Sequence, residues 1–147
     1  MAVNAFVEIS DETASVDSSL LELLERAVRT TLEAEAPAGE VEISVALLDD
    51  EGISRVNQEF LSHEGPTDVI SFPLVQPGLS LVGDIYVGLD QAHRQASEFG
   101  VAVEEELVRL AVHGVLHVLG WEHPEDEGRL EAPMYTRQEE IVRRVLI

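Results

Sequence analysis

The segment His113-Gly114-Val115-Leu116-His117-Val118-Leu119-Gly120-Trp121-Glu122-His123 constrains this chain more than any other. Leu107, Leu110 and Ala111 precede it with helical spacing, so the pattern predicts a helix from about 103 to 119 that Gly120 ends. Four residues advance ~400° around a helix and rise about 6 Å, which projects His113 and His117 from one face. The glycine break lets the chain turn, so that His123 can swing back as a third ligand. Three neutral imidazoles suit Zn²⁺ or another divalent transition metal, one ion per chain. A single histidine on an apolar helix is more often a core residue. The paired spacing, the glycine and the third histidine together argue against that here. A closed structural site is the competing arrangement, with Glu122 or Asp126 as fourth ligand. Three histidines alone leave a position for water, whose pKa an open metal site lowers to about 7. The chemistry implied is hydrolysis, with metal-bound hydroxide as nucleophile.

The rest of the chain reads as one domain over residues 1–147. Alternation at Val3, Ala5, Val7 and Ile9, and again at Val41, Ile43, Val45 and Leu47, predicts strands. Val69–Phe72 and Leu81–Val87 read as two more, separated by the turn signal Gln76-Pro77-Gly78. Asp17 to Ser19 cap a helix carrying Leu20, Leu24, Val28 and Leu32, which Pro37 and Gly39 end. Asp49 and Asp50 open a short helix, another runs from about Asp90 to Gly100, and a last one carries Met134, Ile141 and Val145. Strict βαβ alternation is lacking. The expected fold is α+β: a small mixed four-stranded sheet with helices packed on it and the metal site on a C-terminal helix.

Composition narrows the function. There is no cysteine, so thiolate metal sites and cysteine nucleophiles are excluded. No apolar run approaches the ~20 residues of a membrane span, and no signal-peptide core is visible. A cytoplasmic home is expected. Asp and Glu total 29 against nine Arg and no Lys, a formal charge of −20. Such a surface disfavours broad electrostatic binding of nucleic acid, and no DNA partner is expected. A salty habitat explains it equally well, because ~1 M salt shortens the Debye length to ~3 Å.

The histidine spacing and the glycine also match the metzincin peptidase pattern, H-E-x-x-H-x-x-G-x-x-H. There the residue after the first histidine is the glutamate base. Here that residue is Gly114, which argues against proteolysis.

The same segment resembles the signature of the YbeY family of bacterial rRNA maturation factors, H-G-x-L-H-x-x-G-[YW]-[DE]-H. A second block, Asn57, Phe60 and Pro66-Thr67-Asp68-Val69-Ile70-Ser71-Phe72-Pro73, is similar to the family's N-x-x-[YF]-R…P-T-D-V-L-S-F-P. Gly83-Asp84-Ile85 and the set Glu131, Ala132 and Met134 extend the match across nearly the whole chain. The resemblance implies a metal on His113, His117 and His123 and single-strand endoribonuclease activity. It also implies a role in 16S rRNA processing and ribosome quality control, with rRNA and the small ribosomal subunit or assembly factors as partners. One departure matters: Leu61 stands where the family has an arginine implied to serve the RNA reaction. Leucine cannot clamp phosphate oxygens. A ribosome-assembly binding protein with a mainly structural metal is therefore the alternative function, and a metallopeptidase the less favoured one.

Four more polar residues are candidates. Thr67, Asp68 and Ser71 suit substrate contact, although Thr67 and Asp68 also suit a turn. Asp84, a carboxylate in an apolar strand, is a candidate catalytic residue that would orient a metal histidine; its alternative is to face solvent beside Tyr86. His63 and His93 read as surface residues, Met134 as core.

Overall fold

The computed structural model describes residues 4–75, 81–122 and 132–147. The elements are β1 (Ala5–Asp11), α1 (Ser18–Glu35), β2 (Val41–Leu48), α2 (Asp50–Leu61), β3 (Val69–Val75), β4 (Leu81–Gly88), α3 (Leu89–Phe99), α4 (Val103–Val118) and α5 (Pro133–Leu146). Local signals set several boundaries. Asp17 caps α1 by accepting from the Leu20 N–H, and Asp49 caps α2 by accepting from the Gly52 N–H. Pro133 opens α5, where its missing N–H costs nothing.

The strands form one mixed sheet in the order β1-β2-β4-β3. β1 pairs parallel with β2 and β2 parallel with β4, while β3 pairs antiparallel with β4. The α+β expectation holds. The finer point is that β1, α1 and β2 do form a parallel βαβ unit, because the helix between them is long enough to carry the chain back. β3 also runs beyond Phe72 through Pro73 to Val75. Proline is tolerated there because β3 is an edge strand. The expected turn at Gln76-Pro77-Gly78 lies outside the described residues.

Val41, Ile43, Val45 and Leu47 of β2 and Gly83, Ile85 and Val87 of β4 share one buried sheet face. Against it lie Leu24, Val28 and Leu32 of α1, Leu107, Ala111 and Val115 of α4, and Ile141 and Val145 of α5. Burial of that apolar area is the main source of stability. Two glycines let α4 approach β4 closely. A Cβ on Gly83 would stand 2.6 Å from Val118 Cγ1, and one on Gly114 2.8 Å from Ile85 Cγ2. Gly114 meets Ile85 while Val118 meets Gly83, so α4 runs antiparallel to β4. On the opposite sheet face, Phe60 at the end of α2 meets Phe72 edge-on at 5.6 Å, and Phe72 meets Tyr86 at 6.0 Å.

Candidate metal centre

From Glu105 to the end of α4, only every fourth residue escapes full burial: Glu105, Arg109, His113 and His117. The helix is otherwise enclosed, so these four form its one polar stripe. The two imidazoles at its C-terminal end sit edge to face, with ring centroids 4.5 Å apart. The spacing in the sequence thus delivers the expected pair.

The turn after the helix is equally specific. Gly120 has φ +104°, a region closed to most side chains. Its N–H donates to the His117 carbonyl at 3.0 Å, and the Trp121 N–H donates to the Leu116 carbonyl at 2.9 Å. This double reversal is a Schellman cap. It carries the Trp121 carbonyl back beneath the helix end, 2.9 Å from His117 Nδ1. A carbonyl only accepts, so His117 Nδ1 is the donor.

His113 Nδ1 lies 2.6 Å from Oε1 of Gln138 on α5. The amide of Gln138 is oriented by its other end, where Nε2 donates to the Glu139 carboxylate at 3.0 Å. Oε1 is therefore the atom facing His113, and His113 Nδ1 also donates. In its neutral form each ring then carries its proton on Nδ1 and its lone pair on Nε2, the state in which imidazole ligates a metal. These two donors fit a divalent transition metal. The third expected ligand, His123, lies outside the described residues, as does Asp126. Among the described residues no group of three His, Asp or Glu side chains converges.

A charged network backs the His113 side. Arg109 bonds Glu139 through Nε at 2.9 Å and Nη2 at 3.0 Å, and reaches Glu105 and Glu106, both at 3.1 Å. Glu106 is 3% exposed and also accepts from Gln95. Burial pushes the Glu139 carboxyl up, but hydrogen bonds from Arg109 and Gln138 and the Arg109 charge outweigh it. The carboxyl ends below its ordinary value. Arg109 is raised, mainly by its hydrogen bond to Glu139.

The remaining candidates divide. Ser71 pairs with Ile85 and so shares the sheet face on which Gly114 packs. Asp68 accepts from the Val69 N–H at 2.8 Å and lies 3.5 Å from the Thr67 hydroxyl, a local turn arrangement. Asp84 is not brought to the histidines. Strand alternation turns Ile85 toward α4 and Asp84 to the opposite face, where it accepts from Ser44 at 2.9 Å. There burial, then the Asp84 charge, raises the Tyr86 phenol. Gln138 occupies the orienting position that Asp84 was expected to fill. Asn57 holds a loop, donating to the Gly65 carbonyl at 3.0 Å. Met134 is core, His63 and His93 are exposed, and Leu61 is 42% exposed.

Gln138 escaped the sequence reading, yet it left a signal. It is a polar residue buried on the same face of α5 as Met134, Ile141 and Val145. A polar side chain at such a position needs a partner.

Known proteins share this architecture. The family model described as endoribonuclease YbeY matches residues 6–146. An endoribonuclease YbeY of Bacillus licheniformis is 35% identical over 97% of this chain and 96% of its own length. One from Roseiflexus sp. is 40% identical over 88% of this chain and 84% of its own. The solution structure of TM1509 from Thermotoga maritima superposes with a TM-score of 0.67 at 30% identity, covering 95% of this chain and 89% of that one. The chain belongs to the endoribonuclease YbeY family.

Proposed function

We propose that this protein is a metal-dependent endoribonuclease that cuts single-stranded rRNA segments during 16S rRNA maturation and ribosome quality control. Its partners in this reading are rRNA and the small ribosomal subunit or its assembly factors, in the cytoplasm. The observation that carries the metal reading is the pair His113 and His117, each anchored through Nδ1, which in the neutral ring puts the lone pair on Nε2. These two residues, with His123, would hold one Zn²⁺ or similar ion. When bound, such an ion supplies Lewis acidity at neutral pH toward a phosphoryl oxygen and a coordinated water. Gln138 and the Trp121 carbonyl hold the rings in place. Ser71, on the same side of the sheet, is the substrate-contact candidate best placed to donate to a phosphate oxygen, with Thr67 and Asp68 in the approach to its strand. Among the described residues, no helix is long and apolar enough to cross a membrane.

The test is cleavage of a single-stranded and a duplex RNA by purified protein, before and after chelation and after zinc is restored. Loss on chelation, recovery with zinc, and inactivity of His113→Ala are expected. Cleavage that survives both chelation and His113→Ala would sink the proposal.

A second reading, an assembly factor with a mainly structural metal, is favoured by one observation. The position of the family's arginine holds Leu61, half exposed and uncharged. Co-sedimentation of metal-free His117→Ala with small subunits separates the two: full binding without cleavage by either form favours the second. Proteolysis is disfavoured further, since a glutamate at 114 would have to displace Ile85.

A further inference from the structure

A second chain of contacts reaches the centre from α1. Glu35, in the last turn of that helix, accepts from the Trp121 indole Nε1–H at 2.6 Å through one oxygen and from Arg137 Nε at 2.6 Å through the other. Arg137 also donates to the Ala34 carbonyl at 2.9 Å. The Glu35 side chain is 13% exposed, so its charge is largely withdrawn from water and depends on these donors. The residue it grips by the ring is the one whose backbone carbonyl accepts from His117. Trp121 follows a glycine in a left-handed conformation and its N–H is held by the Leu116 carbonyl, so the bond to Glu35 is a second anchor on the same residue.

We propose that Glu35 is a positioning residue for His117: by fixing the Trp121 indole it fixes the plane of the Trp121 carbonyl, and that carbonyl sets the His117 tautomer. The proposal rests on the metal reading above and adds to it a residue distant in sequence. His113 has its own orienting partner in Gln138, so the two histidines are served by separate arms. The arms meet on α5, where Arg137 and Gln138 are neighbours. A competing account makes Glu35 only a link between α1 and α5 through Arg137. That account predicts loss of stability with no effect on the histidine ring.

The experiment compares wild type with Glu35→Ala, Glu35→Gln and Trp121→Phe. Trp121→Phe keeps the carbonyl and most of the ring but removes the indole N–H. Long-range ¹H–¹⁵N NMR of the metal-free protein reads the tautomer of each histidine, and competition against a chromophoric chelator reads Zn²⁺ and Co²⁺ affinity. Glu35→Ala and Trp121→Phe should mix the His117 tautomers and weaken metal binding about 10- to 100-fold. The His113 tautomer should be kept in both. Glu35→Gln, which still presents an oxygen to the indole, should restore most of the affinity. Should Glu35→Ala fail to fold, Trp121→Phe carries the decision. Normal metal uptake with an unchanged His117 tautomer and unchanged affinity in Trp121→Phe overturns the positioning role alone. Failure of the wild type to take up either metal overturns the metal reading beneath it.

Discussion

Gly114 lies directly over Ile85: a Cβ added to the glycine would meet Ile85 Cγ2 at 2.8 Å, Cδ1 at 3.2 Å and Cγ1 at 3.3 Å. Ile85 is 1% exposed and its branch methyl has nowhere to retreat. Gly114→Ala would gain about 0.8–1 kcal/mol of helix propensity. Overpacking a filled core costs about 1–3 kcal/mol. The clash should win, because the contact is with a stiff β-branched side chain. The expected result is a net loss of about 1 kcal/mol or more in urea unfolding, with metal content retained. A stabilised Gly114→Ala would show that α4 is free to lift from β4.

The Arg109 network predicts an acid limb. The folded Glu139 pKa is depressed, so its contribution is fully present above the unfolded value and is lost as pH falls through the folded one. With an unfolded glutamate near ~4.3, the loss begins below about pH 5 and deepens as the solution becomes more acid. Glu139→Gln should flatten that limb of a stability profile while lowering stability at neutral pH. Arg109→Ala should be far worse, about 3–5 kcal/mol, since it strands Glu105, the buried Glu106 and Glu139 together. An acid limb unchanged in Glu139→Gln would assign it to other carboxylates.

The sequence carries the local parts of this site and not the long-range ones. The placement of His113 and His117 on one helix face and the cap at Gly120 are legible because helix periodicity and a glycine cap act within one or two turns. Strand alternation likewise places Ile85 and Asp84 on opposite faces, but which face meets α4 depends on sheet order. That order, β1-β2-β4-β3, comes from pairing distant segments. Gln138 and Glu35 reach the histidines only after α1, α4 and α5 have packed together. Neither contact leaves a spacing rule behind. The buried polar position on α5 is a local hint of the first, whereas nothing near Glu35 in the chain marks the second.

Salt should separate habitat from function as the source of the charge. With 29 acidic against nine basic side chains, the folded chain repels itself. Screening should relieve this, and the melting temperature should rise from dilute buffer to molar KCl. A gain of about 1 kcal/mol corresponds to roughly 2–4 °C for a domain of this size. A flat or falling melting temperature would remove the habitat account and leave the charge needing a functional one.

Leu61 offers the sharpest test of catalysis. It lies in the last turn of α2, a turn with no basic residue, and its 42% exposure means that it is not a core side chain. Leu61→Arg should therefore cost little stability. A cation in the last turn complements the helix dipole by about 0.3–1 kcal/mol, and the arginine stem can cover the apolar surface that leucine leaves. If the family mechanism operates with this position empty of charge, the added guanidinium should raise the cleavage rate about tenfold, equivalent to about 1.4 kcal/mol of transition-state stabilisation. Metal content should stay unchanged. The competing account gives the role to Arg55, which is highly exposed and only loosely paired with Glu51 at 3.7 Å. Six residues separate it from position 61, about 9 Å along the helix and roughly 120° around it, so the two side chains leave α2 in different directions. Arg55→Ala should accordingly leave cleavage within about twofold of wild type, a change under about 0.5 kcal/mol. Abolished cleavage in Arg55→Ala, with no gain in Leu61→Arg, would move the cation to Arg55 and overturn the expectation for Leu61.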